Sequence, residues 1–144
     1  MASSIKAKTL KVTINEVVTL GDNDFGNRTQ FEISGINEAS KRILTVPTHQ
    51  VTVLALSSSN GAGTYSSGSL KYARLTNLDN ANFVRLTFAS GSNNQFDVKL
   101  EARRTYVFTN DAYSGSAAGD TFGSFASFTN LKAVADTSAV DLEI

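Results

Sequence analysis

Cysteine and tryptophan are absent from this chain, and proline, histidine and methionine occur once each. Without cysteine there is no disulfide framework, thiolate nucleophile or Cys-ligated zinc, and one histidine cannot build a histidine-rich metal site. Charge is scarce as well. Thirteen Lys and Arg offset thirteen Asp and Glu, and a net charge of +0 leaves no basic field for a phosphate backbone. No apolar run approaches the roughly 18 residues a membrane helix needs. Neither nucleic acid nor a bilayer is therefore an expected partner, and no cofactor is expected.

The chain is instead rich in small polar residues. Ser (17), Thr (15), Asn (12) and Gly (10) make up 54 of its 144 residues, a composition that favours strands and turns over long helices. A chain of this length buries enough surface for one self-sufficient core, so a single domain over residues 1–144 is expected, with residues 1–8 as an extended N-terminal arm. The opening residues lack the apolar core of a secretory signal, so the chain is expected to be made and kept inside a cell, with the sequon at Asn27 idle.

Apolar residues recur at a spacing of two almost throughout, the period of a half-buried strand. Leu10, Val12 and Ile14 alternate with Lys11 and Thr13, and the run passes through Val17, Val18 and Leu20 into a Gly/Asn/Asp turn at residues 21–27. Phe31 and Ile33 form a second strand that Gly35 closes, and residues 35–42 are the one place where a helical turn is expected. Pro47, which has no N–H for a ladder, marks residues 43–46 as an edge strand or a connector. The segment from Thr48 to Leu56 is apolar on both faces by its end and reads as core.

Residues 57–69, with six Ser, read as an exposed loop. Leu70–Thr76 and Phe83–Phe88 follow as a hairpin across the connection at residues 77–82. Phe96–Leu100 and Tyr106–Phe108 come next, and Phe31, Phe83, Phe88, Phe96 and Phe108 are expected in the core. Residues 110–128 form a second long polar loop, in which Phe122, Phe125 and Phe128 read equally as a short helical turn tucked onto the body or as an exposed binding patch. Leu131, Ala133 and Ala135, then Val140, Leu142 and Ile144, complete the alternation. The reading is all-β: a single antiparallel β-sandwich, jelly-roll-like, of about eight or nine strands.

Catalysis needs convergent titratable groups, and the sequence offers few. His49 has no acid beside it and reads as structural or exposed. Residues 115–119 echo the spacing of a nucleophile elbow only loosely and lie in a loop, so no enzyme is expected. Asp22 with Asp24, and Asp111 with Asp120, could supply oxygen ligands to calcium; ordinary turn chemistry explains them without an ion, and position twelve counted from Asp22 is Ile33 rather than Glu. No metal site is expected. Tyr65 and Tyr113, isolated in polar loops, are candidates for exposed contacts, including stacking on sugar rings.

Two stretches resemble a known group of proteins. Gly35-Ile36-Asn37-Glu38-Ala39-Ser40-Lys41-Arg42-Ile43-Leu44-Thr45-Val46-Pro47-Thr48, and Lys71-Tyr72-Ala73-Arg74-Leu75-Thr76-Asn77-Leu78-Asp79 leading to Phe83-Val84-Arg85-Leu86, resemble small virion structural proteins of tailed phages, especially cyanobacterial ones. The patterns Phe96-Asp97-Val98-Lys99-Leu100 and Val140-Asp141-Leu142-Glu143-Ile144 are similar to the second half of the same group. The resemblance is best to head decoration, or cement, proteins. It implies a homo-oligomer, often a trimer, that is made in the host cytoplasm, resides on the phage head and ties neighbouring subunits of the major capsid protein together without catalysis. Ile5, Lys6, Lys8, Tyr65, Tyr113 and Phe122 are the expected partner contacts, from the N-terminal arm and the two long loops. A collar, connector or tail component and a carbohydrate- or receptor-binding module are the alternatives.

Overall fold

A computed structural model describes residues 6–57, 64–66, 70–90, 93–109 and 128–144. Its described residues are all-β, with thirteen strands and no helix. The chain divides into two compact units, Met1–Ser40 and Lys41–Ile144, where the sequence reading has one domain with an arm of eight residues. The reason lies in the pairing. Strand β1 (Lys8–Glu16) finds its ladder partner locally, in β4 (Asn27–Ile36), and among the described residues the two form a sheet of their own.

The first unit is a β-ribbon. Its ladder runs from Lys8 opposite Ile36 to Glu16 opposite Asn27, and the short pair β2 (Thr19–Leu20) and β3 (Asn23–Asp24) carries the hairpin to its tip. Between Lys8 and Leu10 the ladder advances two residues on β1 but three on β4, so the extra residue lies in β4. Gly35 there has φ +72°, a left-handed conformation that glycine adopts without steric cost and that suits a bulge. The same glycine ends any prospect of the expected helical turn: Gly35 and Ile36 finish the strand, and residues 37–42 have no regular structure.

The second unit is a two-layer sandwich. One sheet has the order β10-β9-β12-β6-β7 and the other β11-β8-β13-β5. The strands are β5 (Ile43–Val46), β6 (Val51–Ser57), β7 (Thr64–Ser66), β8 (Tyr72–Asn77), β9 (Val84–Ser90), β10 (Asn93–Leu100), β11 (Thr105–Thr109), β12 (Asn130–Ala135) and β13 (Val140–Glu143). Their antiparallel pairs are nested: β9 with β10, β8 with β11, β6 with β12 and β5 with β13. A long ribbon folded at the β9–β10 hairpin gives this nesting, and rolling it adds the contacts β12–β9 and β13–β8. Strand β5 sits at an edge of its sheet, as the loss of an N–H at Pro47 leads one to expect, and the Pro47 carbonyl accepts from Ala135 N at 2.9 Å.

Alternation fills the core. Val84, Leu86 and Phe88 of β9, Leu131, Ala133 and Ala135 of β12, Leu75 of β8 and Val140 and Leu142 of β13 are all buried. On β6 a bulge opposite Leu131 and Lys132 turns both Val53 and Leu54 inward, which explains the apolar run on both faces. The Phe88 ring stacks on Phe96 with centroids 4.5 Å apart and meets Tyr106, Phe108 and Phe128 edge-on, joining the two sheets. Phe108 is buried as expected, and Phe128 is buried too. Phe96 instead remains 41% exposed, because β10 is the outermost strand of its sheet and has no neighbour to cover it. Phe83 is half-buried, with Lys99 Nζ 4.4 Å above its ring centroid.

Candidate functional site

Of the six expected contact residues, three lie among the described residues. Lys6 and Lys8 are exposed at the start of the ribbon, and Ile5, Tyr113 and Phe122 lie outside the described residues, as do Asp111 and Asp120. Tyr65 belongs to a strand rather than an exposed loop: β7 runs parallel to β6, with Tyr65 opposite Leu56, and its ring packs half-buried against the core. Tyr65 is thus half-buried on a strand rather than isolated in an exposed loop. His49 is exposed in the β5–β6 connection.

Among the described residues no group of three or more His, Cys, Asp or Glu could hold a metal ion. Asp24 serves its own turn, accepting from Gly26 N at 2.7 Å, and Asp22 is exposed beside it. A polar assembly among the described residues lies at one end of the sandwich. The fully buried side chain of Asn77 donates to the carbonyls of Asn82 (2.9 Å) and Leu100 (3.2 Å) and accepts from Asp79 N at 2.9 Å. Asp79 Oδ1 accepts from the backbone of Ala81 and Asn82, both at 2.7 Å, and these bonds hold its carboxyl below the usual carboxylate range. Asn82 in turn accepts from Thr137 Oγ1 at 2.7 Å and donates to Ser138 Oγ at 3.0 Å. These bonds tie together the connections at residues 78–83 and 136–139 and the end of β10.

On the outer face of the sheet β11-β8-β13-β5, Glu143 pairs with Lys41 at 2.9 Å and with Arg74. The Lys41 hydrogen bond lowers the Glu143 pKa, and the charges of Lys41 and Arg74 lower it further against the opposing effect of burial. This triad staples β13 to β8 and to the segment before β5.

The feature that stands unexplained by packing is the ribbon. Leu10, Val12 and Ile14 face Ile33, Phe31 and Thr29 directly, giving it one apolar face. The other face carries Lys11 paired with Glu32 at 3.2 Å, and Thr13 Oγ1 donating to Gln30 Oε1 at 3.5 Å. At the tip Gly21 turns with φ +60°, and Phe25 N donates to the Val18 carbonyl at 2.8 Å. Gly26 admits no side chain, since a Cβ there would stand 2.4 Å from the Glu16 carbonyl oxygen. This tight tip presents Val17 (76% exposed), Leu20 (65%), Phe25 (63%) and Val18 (47%) together, and Ile14 adds 49% behind them. Clustered exposed apolar side chains mark interaction surfaces far better than single ones do. The sequence reading treats Val17, Val18 and Leu20 as the tail of a strand and Phe25 as part of a turn. The usable signal is four large apolar residues crowded around a Gly/Asp/Asn turn, where polar residues are the norm.

No family model, curated protein or solved structure matches the chain.

Proposed function

We propose that this protein is a non-enzymatic structural subunit of a tailed-phage virion, a head decoration protein that binds and stabilises the shell formed by the major capsid protein. One observation carries the reading: a compact sandwich unit is accompanied by a two-stranded ribbon whose tip exposes Val17, Val18, Leu20 and Phe25. A lone two-stranded ribbon is marginal in water. Burying its apolar tip against a neighbouring protein supplies the missing stabilisation, at about 25 cal/mol for each Å² removed from water. The nested strand pairing and the sequence resemblance support the same role. Repetition over a symmetric shell multiplies many modest contacts into firm attachment.

The test mixes the purified protein with capsids that lack it, then measures bound copies and the temperature at which the shells break. Binding at hundreds of copies with a raised breakage temperature is expected, and Phe25→Asp combined with Val17→Asp should abolish both. Absence of binding, or binding indifferent to those two changes, overturns the reading. Binding limited to about a dozen copies at one vertex points to a collar or connector instead.

A further inference from the structure

We infer that the free edge of β1 pairs with β1 of a second copy of this chain, antiparallel and centred on Val12, to form a four-stranded sheet across a two-fold axis. Three observations carry this, and none depends on the proposed role on a shell.

The first is that the edge is open and regular. Among the described residues β1 is paired only with β4, and its nine residues are exposed except for the half-buried Leu10 and Val12, so along its other side no described strand takes up its N–H and C=O groups. The bulge in the ribbon falls on β4, at Gly35, and leaves β1 straight. Bulges blunt an edge against further pairing, which makes β1 the better of the two edges for addition of a strand.

The second is that β1 is complementary to itself. A two-fold contact centred on Val12 sets Leu10 opposite Ile14 and Lys8 opposite Glu16, twice each, with Val12 against its symmetry mate. The remaining residues, all polar, pair with one another on the opposite face. Lys8 and Glu16 are both exposed and take part in none of the ion pairs among the described residues. Neighbouring registers fail. A centre at Lys11 sets two like charges together, and a centre at Thr13 sets Leu10 against Glu16. Strand β4 offers a poorer match: a centre at Glu32 opposes two carboxylates, a centre at Phe31 sets Ile33 against Thr29, and a centre at Gln30 pairs Arg28 with Glu32 but sets Ile33 against Asn27.

The third is what the contact would produce. Opposite residues share a face, so the apolar face of each ribbon continues into its mate without interruption. Four strands with one apolar face make a far more stable unit than two.

The experiment uses the full chain. Sedimentation velocity across micromolar to submillimolar concentrations should show a reversible dimer or a higher even-numbered assembly. Lys8→Glu and Glu16→Lys, each alone, turn two attractive pairs into two repulsive ones and should weaken association on the order of tenfold. The double variant restores opposite charges across the axis and should recover most of the loss. Since it carries both changes, its recovery also excludes misfolding as the cause of the single defects. The chain has no cysteine, so Val12→Cys provides a clean geometric probe. Paired Cα atoms about 4.5–5.5 Å apart permit a disulfide across the axis. Asn15→Cys, placed far from its mate in this register, should stay reduced under the same mild oxidation. A monomer, a trimer with no further association, single reversals without effect, a double variant that does not recover, or equal cross-linking at positions 12 and 15 would each overturn the inference. Dimerisation by a protein that ignores capsids leaves it standing and removes only the proposed function.

Discussion

Asn77 and Leu100 lie 23 positions apart in sequence, yet the buried side-chain amide of one donates to the backbone carbonyl of the other at 3.2 Å, tying the end of β8 to the end of β10. The same amide serves Asn82, and its oxygen serves Asp79 N, so Asn77 satisfies three groups from two connections. Replacing it with leucine keeps the volume but strands those partners. Each unsatisfied buried group costs about 1–3 kcal/mol, so Asn77→Leu should lose about 3 kcal/mol or more in urea unfolding. Unchanged stability would show that the knot is incidental.

Phe88 and Phe96 stack directly, but only one of them is enclosed. Phe88→Ala removes a ring that touches four other aromatic rings and should cost about 3–5 kcal/mol. Phe96→Ala should cost less than half as much, because its outer side already faces water at the β10 edge. A double-mutant cycle should return a coupling of about 0.5–1.5 kcal/mol for the pair. Equal single losses would contradict the assigned exposure.

Acid should destabilise the sandwich through Glu143 and Asp79. Both carboxyls are held below their ordinary pKa in the folded chain, Glu143 by the Lys41 hydrogen bond and Asp79 by the backbone of Asn82 and Ala81. Their contribution is present above the unfolded-state values, near about 4, and is lost as pH falls through the lower folded-state values. Melting temperatures followed from pH 6 downward should therefore drop below pH of about 4, and Glu143→Gln with Asp79→Asn should flatten that limb. A limb of unaltered slope in the double variant would assign the acid sensitivity elsewhere.

Gly26 and Gly21 should respond differently to alanine. At Gly26 a Cβ meets the Glu16 carbonyl and the Val17 Cα at 2.4 and 3.3 Å, backbone atoms that cannot step aside, so Gly26→Ala should open the ribbon tip. At Gly21 there is open space, and only the φ of +60° penalises a side chain, at about 1–2 kcal/mol. Amide exchange along β1 and β4 should accelerate strongly in Gly26→Ala and mildly in Gly21→Ala, with protection on β9 unchanged in both. Faster exchange in the Gly21 variant would reverse the assignment.

Much of this was legible without coordinates. The spacing of two at Val84, Leu86 and Phe88, and at Leu131, Ala133 and Ala135, marked the inward faces that the sandwich buries, and Pro47 marked an edge. Other readings failed where burial depends on a neighbour rather than on the strand itself. Residues 89–95 read as a turn, yet Ala89 and Ser90 continue β9 and pair with Asn94 and Asn93 of β10, and Ala89 is 0% exposed. Tyr65 read as a loop residue because serine and glycine surround it, but pairing with β6 draws it into a sheet. The ribbon escaped notice as a separate unit because alternation looks the same in a strand that joins a sandwich and in one that does not.

Side-chain periodicity and turn chemistry act over a few residues, and by themselves they determined the all-β class, most strand positions and part of the core, Val84, Leu86, Phe88 and Phe108 among it but not Phe31, Phe83 or Phe96. Which strand lies beside which was decided only by the tertiary structure, since a ladder such as β5 with β13 joins Val46 to Val140, nearly the two ends of the sandwich unit. Long-range pairing is chosen by the joint burial of two sheets, a property that no single segment carries, and so the tertiary structure alone decided that β1 and β4 form a two-stranded ribbon of their own while the later strands build the sandwich.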